Sequence, residues 1–267
     1  MLPTPSTSHV SFDTVYEPAE DSFLLLDTLS SSSQKEWLTK HFPTSQPTPL
    51  VLEVGTGSGV VIGFLAANAE EIFGRDVFAM GIDVNEKACR ATAVTVKKAL
   101  AEQGSRSVYL GSVCADLFGA NTAAAVDVLV FNPPYVPTVE LPVIPVSEGT
   151  VGDQYQYNSH LLELSYAGGL DGMETTLRLL VALPHILSSR GVAYILLCAQ
   201  NKPEEVKVTI PKLLKGDWMV DTVGISGKTA GWEKLVIIRI ARQSQFVSSF
   251  SRCPSPANSP NHRSSHD

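Results

Sequence analysis

Cysteine is scarce in this chain: four stand among 267 residues, Cys89, Cys114, Cys198 and Cys253, with no Cys-x-x-Cys pair. That spacing suggests neither a disulfide framework nor a zinc site, and a reducing, intracellular setting is the expectation. Long apolar runs are lacking too. No stretch approaches the roughly 20 residues that span a bilayer, and the opening "MLPTPSTSHV" has no basic region leading into an apolar one, so neither a membrane span nor a secretory leader is expected. Basic residues are outnumbered, 20 Lys and Arg against 27 Asp and Glu, for a net charge of −7. A protein that grips nucleic acid through many phosphates needs the opposite sign, so nucleic acid is not the expected partner. His9, His41, His160 and His185 show no ligand spacing, and no metal is expected.

The ends differ from the middle. Residues 1–11 are read as a flexible arm and 12–243 as one domain. Residues 244–267, rich in Ser and Pro, cannot bury enough apolar surface to offset ordering entropy and are read as a disordered tail. Within the domain, "AEDSFLLLDTLSSSS" predicts a helix with an apolar face of Phe23, Leu24, Leu26 and Leu29, and residues 39–49 a polar connector. Strands are expected at 50–55, 77–83, 107–113, 126–132 and 192–199, with helices between them. Two final strands, "WMVDTVGI" and "KLVIIRIA", are joined by a link too short for a parallel crossover and should form an antiparallel hairpin. The pattern predicts an α/β fold: a doubly wound, seven-stranded, mostly parallel sheet that binds ligands at the carboxyl ends of its strands.

Those strand ends carry the chemistry. The first runs into Glu53-Val54-Gly55-Thr56-Gly57-Ser58-Gly59, where glycines let the backbone turn and approach a ligand. The third glycine of a dinucleotide fingerprint is missing, because position 60 is Val60. The second strand ends in Asp83, an acid suited to ribose hydroxyls, and the third leads to Asp116-Leu117. Three carboxylates without a neighbouring Lys or Arg suit an adenosine with a cationic portion and suit a pyrophosphate poorly. S-adenosylmethionine fits. The fourth strand ends in Asn132-Pro133-Pro134-Tyr135. Prolines stiffen the backbone there, so the Asn132 side-chain oxygen and the Pro133 carbonyl become fixed acceptors beside the Tyr135 ring. Such an arm receives a planar –NH₂ group and offsets the charge that grows on nitrogen during methyl transfer, without a general base. Adenine and a side-chain amide satisfy it equally, and lysine less well.

The stretches "VYEPAEDSFLLLDTL" (15–29), "LEVGTGSGVV" (52–61), "DVLVFNPPYV" (127–136) and "AGGLDG" (167–172) closely resemble the eukaryotic, HemK-like branch of the class I methyltransferases that carry an Asn-Pro-Pro-Tyr motif, anchoring roughly residues 12–240. The resemblance implies a Rossmann-like fold and methylation of the glutamine side-chain amide in a Gly-Gly-Gln loop of the class 1 peptide chain release factor. A nucleic-acid adenine N6-methyltransferase and a protein-lysine methyltransferase are the alternatives. It further implies a small zinc-binding activator subunit as partner, expected to cover the edge strand 107–113, and a cytoplasmic location, with the nucleus left open. By the same resemblance, Ser22, where the branch usually has Thr, touches the methionine part of S-adenosylmethionine with Glu53, Gly55, Gly57 and Gly59 nearby. Asp83 holds the ribose, Asp116 and Leu117 the adenine, Asn132 touches the donor as well, and Asn132, Pro133, Pro134 and Tyr135 hold the acceptor. The segment between Tyr135 and Ala167 is longer than the branch's usual substrate loop, so its contacts do not transfer.

Overall fold

The computed structural model describes residues 2–118, 124–143, 154–227 and 234–243. Seven strands form one sheet: β1 (Leu50–Val54), β2 (Phe78–Asp83), β3 (Val108–Cys114), β4 (Val126–Phe131), β5 (Leu187–Cys198), β6 (Trp218–Ile225) and β7 (Leu235–Arg242). Their order is β3-β2-β1-β4-β5-β7-β6. The first five lie parallel, and β7 is antiparallel to both β5 and β6, which is the expected terminal hairpin. The strand order reverses between β1 and β4, where a doubly wound sheet opens a crevice at its carboxyl edge.

Eight helices flank the sheet among the described residues: α1 (Glu20–Leu29), α2 (Ser32–His41), α3 (Val60–Ala67), α4 (Ala69–Phe73), α5 (Glu86–Gln103), α6 (Gln154–Tyr166), α7 (Glu174–Ile186) and α8 (Pro203–Leu214). Strand side chains alternate between two cores, as the pleat requires. Val51, Val128, Val130, Tyr194 and Ile237 pack under α1 to α5, whereas Leu52, Leu129, Phe131, Ile195 and Ile238 pack under α7 and α8. Helix α5 starts where Asn85 accepts a hydrogen bond from the Lys87 amide and stops at Gly104, whose φ of 61° suits only a residue tolerant of left-handed backbone. None of the described helices is long and apolar enough to cross a membrane.

Several local expectations change. The buried face of α1 is Asp21, Ser22, Leu25, Leu26 and Leu29, and Phe23 is exposed, because the helix turns its polar amino end toward the crevice. Of the serines after Leu29, read as the end of the first helix, Ser30 and Ser31 lie between two helices. Ser31 accepts from the Gln34 amide and starts α2, so the connector begins only after His41. Within residues 2–11, read as flexible, Pro5 is buried beside Gly63 of α3, and the Pro3 carbonyl accepts from Asn68 Nδ2. Strand β5 begins five residues earlier than expected. The long segment after Tyr135 ends in a helix, α6. The tail 244–267 lies outside the described residues.

Candidate active site

The crevice at the switch point is a pocket walled by the ends of β1, β2, β3 and β4. Residues Thr14, Val15, Tyr16 and Pro18 close one side, and Leu141, Pro142, Leu161, Leu164 and Ser165, from the long segment and α6, close another. Of the residues expected in the donor site, Ser22, Glu53, Gly55, Gly57, Asp83, Asp116 and Leu117 all line it.

The glycine turn is built around Asp83. Gly55 N–H donates to the Ile82 carbonyl (2.7 Å), Gly57 N–H to Asp83 Oδ2 (2.9 Å) and Asn85 N–H to Asp83 Oδ1 (2.8 Å). Each carboxylate oxygen is thus oriented by the backbone and keeps a lone pair for a ligand hydroxyl. Two threonines of α5 brace the turn: Thr92 Oγ1 donates to Thr56 Oγ1 (2.9 Å), and Thr95 Oγ1 to the Ser58 carbonyl (2.5 Å). Sequence reading missed both, since their spacing on α5 shows only that they face inward.

Gly59 does not belong to the pocket wall. At φ 78° it caps α3, and a Cβ there would lie 2.6 Å from Thr92 Cα, so this glycine serves the close packing of α3 on α5.

Glu53 and Asp83 are deeply buried, with 2% and 9% of their surface exposed. Glu53 Oε2 accepts from the Ile62 amide in the first turn of α3 (2.9 Å). Burial raises the Glu53 carboxyl well above its ordinary range, with the charge of Asp83 adding to the effect and the Ile62 hydrogen bond opposing it. Burial likewise raises Asp83, against hydrogen bonds from Gly57 and Asn85. Neither acid has a cationic side-chain partner among the described residues. Asp116 does. Arg178 reaches across from α7 and pairs with it at 2.7 Å, correcting the expectation that no basic residue stands near the three acids. Leu117, beside it, holds φ 59°.

On the acceptor side, Asn132 and Pro134 line the pocket. Asn132 Nδ2 donates to Asp21 Oδ2 (3.1 Å), and Asp21 Oδ1 accepts from the Ser22 amide (2.6 Å) and hydroxyl (3.2 Å). Asp21 therefore fixes which way the Asn132 amide faces, leaving Oδ1 buried with no hydrogen-bond partner in the protein. A buried acceptor without a partner is costly unless something else supplies the donor. Pro133 is buried but outside the pocket wall. Tyr135, expected to present its ring to the acceptor, is half-buried against the core on the α1–α5 face and is not part of the pocket wall. The role of Asp21 was hidden in sequence, where it reads only as an acid in a helix's first turn, 111 residues from Asn132.

No protein-family model matches the chain. Among individual proteins, Methyltransferase HEMK2 of Homo sapiens is 34% identical over 245 residues, covering 90% of this chain and 96% of the relative. The eRF1 methyltransferase catalytic subunit mtq2 of Schizosaccharomyces pombe is 33% identical over 246 residues, covering 91% and 96%. Putative protein N5-glutamine methyltransferase MJ0928 of Methanocaldococcus jannaschii is 34% identical over 200 residues, covering 74% and 78%. Among solved structures, the hMettl16 catalytic domain in complex with an RNA hairpin overlays with a TM-score of 0.50 at 14% identity, over 94% of this chain and 77% of that one, a likeness of fold alone. Identity of about a third, sustained over nearly the whole of the human and fission-yeast proteins, exceeds what a common fold demands, and the chain belongs to the HEMK2 family of methyltransferases.

Proposed function

We propose that this protein transfers the methyl group of S-adenosylmethionine to the side-chain amide nitrogen of the glutamine in the Gly-Gly-Gln loop of the class 1 peptide chain release factor. The observation that carries the reading is the partnerless, buried Asn132 Oδ1 at the pocket, held facing inward by Asp21. The fission-yeast and archaeal relatives are named for eRF1 and for N5-glutamine methylation, which supports the acceptor assignment.

The residues present fit the donor. Asp83 offers oriented oxygens to ribose hydroxyls, Glu53 and Ser22 lie at the end where a cationic amino-acid portion is favoured, and Asp116 with Leu117 would hold the adenine. When bound, S-adenosylmethionine supplies an electrophilic methyl carbon on a sulfonium. Asn132 Oδ1 would accept one N–H bond of the glutamine amide and the Pro133 carbonyl, off the pocket wall in this structure, the other, which would orient the nitrogen toward the donor. Those acceptors would offset the positive charge that grows on the nitrogen as it takes the methyl group and the sulfur leaves as a neutral thioether. A proton then leaves the nitrogen for water. The Asn132 arm needs no base of its own, and the Cys89 and Cys114 thiols near Asp83 are both held protonated, chiefly by burial, with Cys89 pushed up to about 12.

The edge strand β3 exposes Val108, Leu110 and Val113 at 48%, 55% and 44%, with Phe78 beside them on β2. An apolar, unpaired edge favours strand addition, and the small zinc-binding activator subunit is the proposed occupant. The fission-yeast relative is named as a catalytic subunit, which supports a companion chain.

The test is transfer of labelled methyl to recombinant release factor with the activator present. Labelling should vanish when the loop glutamine is replaced by alanine and should fall steeply in Asn132→Ala. Labelling of RNA, DNA or histone lysine in place of the factor would refute the assignment.

A further inference from the structure

Beyond Phe131 the acceptor arm has left the sheet, since Phe131 is the last residue of β4 paired to its neighbours. The next residues include two prolines, which have no N–H to bond with. Something else must hold the arm. The turn at 168–172 packs against it backbone to backbone: a Cβ on Gly168 would lie 2.4 Å from the Pro134 oxygen, and one on Gly172 would lie 2.0 Å from the Tyr135 oxygen.

That packing brings the carbonyls of Tyr135, Asp171 and Gly172 together. Asn201, at the end of β5 and 2% exposed, fills the space between them. Its Nδ2 donates to the Asp171 carbonyl (2.9 Å) and the Tyr135 carbonyl (3.0 Å), with Gly172 at 3.5 Å, and its Oδ1 accepts from the Cys198 amide (2.8 Å). The Cys198 bond fixes the amide's orientation, because the flipped form would face oxygen to three carbonyls. Asp171 and Lys202, at φ 54° and 52°, are non-glycine residues in left-handed backbone on either side of this contact. Conformations of that kind persist only where the surroundings over-determine them.

We infer that Asn201 is a positioning residue for methyl transfer, acting through the Tyr135 carbonyl to set where the Asn132-Pro133 acceptors stand. The inference rests on reading that arm as the acceptor site. Proline fixes φ near about −65°, so residues 132–135 move as a stiff rod, and a shift at Tyr135 is passed to Asn132. A misplacement of about 1 Å costs on the order of 10²-fold in rate. Asn201 is not among the residues that wall the donor pocket, so its own side chain makes no contact with the donor.

The experiment uses the full chain with its activator and compares Asn201→Asp with Asn68→Asp. Asn68 is a buried asparagine whose Nδ2 likewise donates to two carbonyls, of Pro3 and Phe64, away from the pocket. Asn201→Asp should lower kcat by roughly tenfold to a hundredfold with the donor dissociation constant unchanged by calorimetry, while Asn68→Asp keeps kcat. Amide exchange should quicken at Val136 and Gly168, which bond to the Tyr166 and Val136 carbonyls across the same contact. If Asn201→Asp does not fold, Asn201→Ala, which removes the donor without adding charge, should show the same pattern in smaller degree. Equal kcat in the two variants, or a fall in donor affinity that matches the fall in kcat, overturns the inference. Failure of the wild type to label glutamine overturns the functional reading instead. Exchange at Val136 and Gly168 then still decides the role of Asn201, with unchanged rates refuting it.

Discussion

Asp127 and Asp83 are both buried carboxylates of this sheet, one at the amino end of β4 and one at the carboxyl end of β2. Asp127 is saturated: it accepts from Leu50 N–H (3.0 Å), Ser188 Oγ (2.7 Å), and Arg190 Nε and Nη2 (2.9 Å each). Arg190 also ties down the connector through Gln46 and Pro47. Asp83, like Glu53, has backbone donors and no cationic partner among the described residues. The amino edge thus commits its charge to stability, whereas at the carboxyl edge Asp116 is paired with Arg178 and Asp83 and Glu53 are left for a ligand to neutralise.

The largest effect should come from breaking the saturated side. Arg190→Met leaves Asp127 buried and unpaired, which should cost about 3–5 kcal/mol in chemical denaturation and leave donor affinity intact. On the other side, Asn132→Ala should reduce turnover by roughly 10²- to 10³-fold, the scale of losing one preorganised transition-state contact, with the denaturation midpoint near the wild type's. Asp83→Asn should weaken donor binding by about tenfold to a hundredfold, as expected for hydrogen bonds to a charged group, read by calorimetry.

The same contrast predicts a pH dependence. Glu53 and Asp83 have raised pKa values in the folded state, chiefly from burial. Below the ordinary carboxylate pKa of about 4 both states are protonated and nothing is lost. As pH rises from there through the raised values, the unfolded chain releases protons that the folded one retains, and stability declines. A cationic donor favours the ionised forms, so its affinity should rise across that window with protons released on binding. Titrations in buffers of different ionisation enthalpy would read this directly, and affinity that falls with pH would contradict it. The smallest effect is Asn85→Ala, which removes the α5 cap and a hydrogen bond to the Thr14 carbonyl (2.7 Å) and should cost about 0.5–2 kcal/mol.

Much of this was legible in sequence because the informative residues are neighbours along the chain. The glycine turn, the acids at strand ends and the Asn-Pro-Pro-Tyr arm each declare themselves within a few residues. What stayed hidden works across long separations: Asp21 on Asn132, Arg178 on Asp116, and Asn201 on Tyr135, 66 residues away. Each looks locally like an ordinary helix or loop residue. Gly59 shows the opposite failure. In a run of alternating glycines, nothing local separates the one that faces a ligand from the one that admits a neighbouring helix. Helix α2 was missed because the serine run was read as the end of the first helix, although its last serines start a second one.

The position of β7 bears on how the molecule is made. It is the last strand in the chain, yet it lies between β5 and β6 and is the neighbour that joins them. A polypeptide emerging amino end first presents β6 with no partner and leaves one side of β5 open until residues 235–242 arrive. The parallel half of the sheet can assemble during synthesis, whereas the antiparallel half is completed by a single late insertion that supplies both sets of ladder bonds at once. Ribosome stalling just before Leu235 should therefore yield a nascent chain with a protease-resistant β1–β4 region and an accessible β6.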